Sequence, residues 1–442
     1  MTRPRSHRST SAILAEILDQ HGKHSTLGRK LRANRDRNWL LALTLNSFAK
    51  VATSIPLTDL ESVIVAAYEA EGLGELMREH GRTYAAMPAQ ARRDLFPGRF
   101  ALLDVATGYT TADLVRDLPG LDAAVRSMPN ATDVDVAGVH EGRVALADVR
   151  RPRRAVVREH GGELLCAVQP AGPGIQADAA TDPFSIKATG FHCSDETGVD
   201  FFGSDEPYWV FGSVGAGVAI TTRSRVFGDV DSGDNLTFND GEGWIWGQDG
   251  QPHPLPDGQI GSLVSLWEHD SGDPEEVRSA TAAAFATAAA VLAVTGVAAW
   301  VGAVVAGVGS VVSWLIGFMD DDHIADQTFI FDRQTVIDQA GKVGSSFNVS
   351  RRFTDGDGDY TLTIAVTHLG PPAPPPATTT VPDVLEEDTG SALADVQAAG
   401  LVATTTGTNG SGSWVFRQSP LGGVTVPVGS SVTLLLRTGP RL

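Results

Sequence analysis

Cysteine is almost missing from this 442-residue chain: Cys166 and Cys193 are the two present. That is too few for a disulfide framework or a thiolate zinc centre. The apolar stretch of a secretory signal is also lacking. The basic start Met1-Thr2-Arg3-Pro4-Arg5-Ser6-His7-Arg8 runs straight into the amphipathic Ser11-Ala12-Ile13-Leu14-Ala15-Glu16-Ile17-Leu18, so export would use another route. Basic charge is scarce in the later two-thirds. Residues 1–160 hold 23 basic and 19 acidic side chains (+4), whereas 161–442 hold 11 and 34 (−23), which makes the whole −19. Phosphates are repelled by such a surface, which argues against nucleic acid as its partner. No zincin, nucleophile elbow, P-loop, dinucleotide fingerprint or internal repeat occurs, so the chain reads as no enzyme.

Hydrophobic content of 42% beside 20% charged residues excludes general disorder, and the length predicts more than one domain. Residues 1–160 read as a mainly helical domain ending in short strands. Asn38-Trp39-Leu40-Leu41-Ala42-Leu43 and Leu60–Tyr68 carry apolar residues at i, i+3, i+4 spacing, and Thr58 or Asp59 is placed to cap the second helix. Arg143–Ala147 and Glu163–Val168 are short and glycine-bounded, as strands are. Residues 185–368 predict an antiparallel β-sandwich, from runs such as Tyr208-Trp209-Val210-Phe211 and the alternating Thr361–Val366 between Gly/Asp-rich turns. An apolar helical insert is expected at 274–319. Residues 369–380, rich in Pro and Thr, predict an extended linker, and 381–442 a small α+β domain.

That last segment resembles the PASTA domain (penicillin-binding protein and serine/threonine kinase associated). Val381-Pro382-Asp383-Val384, a helix through Ala392 and Val396 to Ala399-Gly400-Leu401, Val415-Phe416-Arg417-Gln418-Ser419-Pro420, Gly423, Val426-Pro427 and Gly429–Leu434 stand in the family's order. Leu385-Glu386-Glu387 departs from it where a glycine is common. The resemblance implies binding to uncrosslinked peptidoglycan fragments, and hence the cell envelope or the extracellular space.

The middle segment is similar, over short patterns, to the calcium- and phospholipid-binding β-sandwich of synaptotagmin and protein kinase C. Gly203-Ser204-Asp205-Glu206-Pro207-Tyr208-Trp209-Val210 is like the end of that family's first calcium loop. Leu266-Trp267-Glu268-His269-Asp270 is like its third loop, which resumes at Asp321-Asp322-His323-Ile324-Ala325. The resemblance implies calcium held by Asp195, Asp205, Glu268, Asp270 and Asp322, because calcium takes six to eight oxygens from converging loops and so many carboxylates repel one another without a cation. Asp229, Asp231 and Asp234, and the Asp355-Gly356-Asp357-Gly358-Asp359 run, read better as turns. His269 and His323 flank the proposed loops.

Between those loops lie 41 residues without a charge, Ser279 to Met319. As one helix they would span ~62 Å, about twice a bilayer's hydrocarbon core, so the segment must fold back, with Thr295-Gly296 as the corner. Gly302, Ala306, Gly309, Ser313 and Gly317 form a stripe of small residues that lets helices approach closely. The other faces are apolar all round, which demands burial in protein or in lipid. Three readings compete. A permanent transmembrane hairpin is disfavoured by the acidic flanks Asp273, Glu275, Glu276 and Asp320, Asp321, Asp322. In the second, calcium or low pH neutralises those flanks, Trp300, Val304, Val305, Val308, Trp314 and Leu315 insert into an anionic membrane, and the PASTA domain binds peptidoglycan. In the third, the segment is buried in a soluble scaffold or homo-oligomer, and the chain only binds peptidoglycan.

Overall fold

The computed structural model describes residues 17, 25–135, 152–160, 162–168, 183–196, 205–269, 272–295, 301–317, 322–340, 342–354, 358–370 and 377–439. The strand expected at Arg143–Ala147, the corner at Gly296, Trp300, Asp270 and the Asp355–Asp357 turn lie outside them. The chain divides into two compact units, Met1–Pro371 and Pro372–Leu442.

The first unit opens with helices α1 (Thr26–Ala33), α2 (Trp39–Thr53), α3 (Asp59–Ala70), α4 (Gly74–Ala86), α5 (Ala89–Leu95) and α6 (Thr111–Arg126). Two of these starts are capping boxes. The Thr58 hydroxyl accepts from the Glu61 N–H while the Glu61 carboxylate accepts from the Thr58 N–H, and Thr110 and Asp113 repeat the exchange. Strand β1 (Ala131–Asp135), α7 (Arg154–His160) and β2 (Leu164–Val168) follow, with β1 and β2 parallel. Helix α2 is buried from Trp39 through Lys50, so it is a central helix enclosed by its neighbours.

Next come β3 (Phe184–Asp195), β4 (Pro207–Gly215), β5 (Val218–Arg223), β6 (Asn235–Thr237), β7 (Trp244–Gln248), β8 (Gln251–Pro252), β9 (Gln259–Glu268), α8 (Pro274–Thr295), α9 (Val301–Ile316), β10 (Asp322–Asp332), α10 (Arg333–Ala340), β11 (Ser346–Thr354) and β12 (Asp359–His368). They make a four-stranded sheet, β10-β9-β4-β5, and a larger one, β11-β12-β3-β7-β8 with β6 on β3. Every pairing within the two is antiparallel. Side chains from both sheets share one core, among them Ile186, Trp209, Phe211, Val264, Phe329 and Leu362.

Strands β4 and β9 are buried almost without interruption. Successive side chains point to opposite faces, so burial of all of them means that both faces are covered. Trp209 and Phe211 enter the core between the sheets. Tyr208, Val210, Val214, Leu263 and Trp267 enter a second core with α8, α9 and the N-terminal helices. The helices seat on bare backbone. A Cβ added to Gly212 would lie 2.1 Å from the Phe285 ring, and one on Gly261 would lie 2.4 Å from Val301.

This arrangement differs from the expected split between 1–160 and 185–368. Ile17, Trp39, Leu40, Phe48 and Tyr68 pack in the same core as Phe285, Val305 and Trp314, because the outer faces of α8 and α9 need an apolar cover and the N-terminal helices supply it.

The second unit holds β13 (Thr378–Thr380), α11 (Thr389–Ala398), β14 (Val402–Gly407), β15 (Trp414–Ser419), β16 (Thr425–Pro427) and β17 (Ser431–Arg437). Three strands are ordered β14-β17-β15, and β13 pairs with β16, so the last residues of the expected linker belong to the fold. Asp388 caps α11 by accepting from the Gly390 and Ser391 N–H groups. Val381, Val384, Ala392, Val396, Val415, Val432 and Leu434 close a core of its own.

Candidate functional site

In the first unit Asp195, Asp205, Glu268 and the backbone of Asp322 lie at one end of the paired sheets, where β3 and β9 finish and β4, β10 and β12 begin. Asp205 is buried, bridges by backbone to Val230, and accepts a hydrogen bond from the Tyr360 hydroxyl. Burial, with Asp205 alongside, raises the Tyr360 hydroxyl pKa and keeps it a donor. Glu268 stands in register between Pro207 of β4 and Asp322 of β10. Asp195 stands opposite Asp359, and Asp359 is held by Arg352. The backbone thus sets Glu268 beside Asp322, while Asp205 is engaged between the sheets and Asp270 is outside the described residues. Among the described residues, no group of three or more His, Cys, Asp or Glu side chains could hold a metal ion.

The Asp229–Asp234 run behaves as a turn. The Asp231 N–H donates to the Asp234 carboxylate at 3.1 Å, and Asp229 has a left-handed φ of 54°. His323 is committed elsewhere: its Nε2 lies 2.8 Å from the Asp326 carboxylate and its ring 4.4 Å from the Trp267 ring. The His269 N–H donates to the Glu206 carbonyl at 3.1 Å.

Of the residues expected to enter lipid, Val304, Val305, Val308, Trp314 and Leu315 are at most 1% exposed. They lie against the four-stranded sheet and the N-terminal helices. Gly307 of α9 faces Leu40 and Trp39 closely enough that an added Cβ would lie 2.9 Å from Leu40. Residues 274–294 are long and apolar enough to cross a membrane by length and composition, and their most apolar window is 67% buried inside the protein.

Sequence reading missed two buried polar groups. Lys50 and Glu61 form an ion pair at 2.7 Å with side chains 1% and 0% exposed. The Arg37 guanidinium is buried, and desolvation pushes its pKa down to about 10 against the opposing charge of Asp326. Burial alone would raise the Asp326 carboxyl, yet His323, Ser265 and Arg37 prevail and its pKa is lowered. Arg37 sits in the polar run Arg35-Asp36-Arg37, which gives no signal of enclosure, and Lys50 closes an apolar helix whose sequence does not say that every face of it is covered.

In the second unit the three-stranded sheet has one face on the core and one open. Val432, Leu434 and Leu436 point inward, while Ser431 and Arg437 are exposed. Arg417 pairs in register with Leu435, and Arg437 with Trp414. Thr404 and Thr406 are exposed on the adjoining strand. Acids gather on the helix side: Asp395, Asp388 and Asp383 stand close enough to add to the desolvation that raises the Glu387 pKa. The open face therefore offers two guanidinium groups among hydroxyls.

Residues 379–438 match the PASTA domain family. A search of the curated proteins finds no match. Solved structures that resemble the chain include human GIVD cytosolic phospholipase A2 in complex with methyl gamma-linolenyl fluorophosphonate, at 9% identity, TM-score 0.23, covering 47% of this chain and 20% of that one. The same enzyme with that inhibitor and terbium chloride gives 8%, 0.21, 43% and 18%, and the enzyme without them 12%, 0.23, 46% and 18%. The matched part is about a fifth of the phospholipase. None of the three is a synaptotagmin or a protein kinase C, and that weaker resemblance gains no support. The expectation that the chain is no enzyme is withdrawn, because these structural neighbours are an enzyme. Likeness this slight carries no argument for any particular activity.

Proposed function

We propose that this protein binds peptidoglycan through its C-terminal PASTA domain, with the first unit as a soluble body that keeps its apolar helices internal. The PASTA match over residues 379–438, on a unit with its own core, carries the reading. Arg417 and Arg437 on the open sheet face are suited to the carboxylates of peptide stems, and the neighbouring hydroxyls to sugar. Burial of Val304, Val305 and Val308 favours this reading over membrane insertion.

The test is sedimentation with isolated cell wall. The full chain is expected in the pellet, a chain ending at residue 371 in the supernatant, and an Arg417→Ala/Arg437→Ala variant in the pellet in reduced amount. If the full chain stays in the supernatant, the wall-binding reading is wrong. If the truncated chain pellets equally, the PASTA domain is not the binding part.

A further inference from the structure

Strand β5 ends the four-stranded sheet, with β4 on one side and, among the described residues, no strand on the other. Its pairing phase is set by the Ser224 N–H, which donates to the Trp209 carbonyl at 2.9 Å, next to the Arg223 and Val210 pair. In an antiparallel ladder, alternate residues bond inward. Ala219, Thr221 and Arg223 therefore turn their N–H and C=O groups away from β4. An open groove of about 730 Å³ runs along this edge.

One wall comes from α8, where Ala282 and Ala286 leave room beside the strand; Glu242 and Asp249 stand on the other side. The arginines of the groove are already matched, Arg223 with Glu275, Arg225 with Glu242 and Arg278 with Glu71. The groove thus selects for neither sign of charge. Main-chain donors and acceptors that have no strand partner among the described residues, spaced along about 13 Å from Ala219 to Arg223, are what it presents. A single extended chain is the occupant whose own main-chain groups match these donors and acceptors.

We propose that the β5 edge is a docking site for an extended peptide, which adds one more strand to the sheet and directs small apolar side chains toward Ala282 and Ala286. Main-chain hydrogen bonds would supply the affinity, and the alanine-lined wall the preference for side-chain size.

The probe is a fluorescein-labelled heptapeptide of alternating serine and valine, titrated into the full chain and followed by anisotropy, with amide hydrogen exchange read at Thr221 and Arg223. Saturable binding and slowed exchange at both amides are expected. Binding should weaken at least about tenfold when alternate peptide nitrogens are methylated, since several hydrogen bonds are lost. Ala286→Trp, which fills the groove, should weaken it similarly. Thr221→Pro removes an outward N–H that the fold does not use, so it should weaken binding while leaving the melting curve in place. Equal binding of the methylated peptide, or unchanged affinity in both variants, would overturn the proposal. So would no saturation up to about 1 mM. Amides at Thr221 and Arg223 that are already protected in the free chain would show the edge to be occupied, which also overturns it.

Discussion

Lys50 and Glu61 make the most enclosed charge pair among the described residues, and the Glu61 carboxylate also accepts from the Tyr109 N–H at 3.0 Å and the Thr58 N–H at 2.8 Å. Gly108 must approach this pair: its φ is 72°, and a Cβ there would lie 2.2 Å from Lys50 Nζ. Removing one partner strands the other's charge, so Glu61→Ala should cost about 3–5 kcal/mol, read as a lower denaturant midpoint for the first unit. A change under about 1 kcal/mol would mean that water reaches Lys50. His80 gives a pH prediction. The Trp314 Nε1–H donates to its Nδ1 at 3.2 Å, which requires an acceptor nitrogen there, and burial holds its pKa down to about 4 from an ordinary 6.5, against the pull of Glu79. The folded value lies below the unfolded one, so this stabilisation is complete above pH 6.5 and declines as pH falls. The loss reaches about 3 kcal/mol near pH 4. His80→Gln should flatten the dependence of unfolding free energy on pH between those limits; an unchanged slope would assign it to other groups.

At the scale of elements, the fit of α8 and α9 onto the four-stranded sheet depends on glycines in the strands. Gly212→Ala would drive a methyl into the enclosed Phe285 ring and should cost about 1–3 kcal/mol. Gly228→Ala meets nothing within 4 Å and should stay within about 0.5 kcal/mol. Chemical denaturation of both variants checks the pair, and equal midpoints would mean that the helices do not seat on the backbone as described. The existence of these two helices was legible in their uncharged composition, and that of β12 in its strict alternation. What covers the helices was not. The unbroken apolar runs of β4 and β9 record that both faces are buried, but hydrophobic burial has no direction, so a run cannot name its partner as lipid, a second copy or an N-terminal helix. Asp205 shows the same limit at the proposed calcium end: a carboxylate in an acidic loop looks alike in sequence whether it meets a cation or the Tyr360 hydroxyl.

For the whole molecule, the C-terminal boundary was legible because a proline-rich stretch cannot join a core and the PASTA pattern follows it. The boundary expected between 160 and 185 was not, since the N-terminal helices share their core with α8 and α9 and look self-sufficient only when read alone. The two kinds of boundary should respond differently to cutting. Separation at residue 371 should yield two soluble pieces, each melting cooperatively, because each unit closes its own core. A fragment beginning at residue 183 should instead expose the outer faces of α8 and α9, where Val304, Val308 and Trp314 lie under the N-terminal helices in the intact chain. An apolar surface of that kind drives association. That fragment should aggregate or require detergent, and co-expression with residues 1–168 should return it to solution. If it were monomeric and cooperatively folded alone, the N-terminal helices would be an accessory, and the apolar pair would not need their cover.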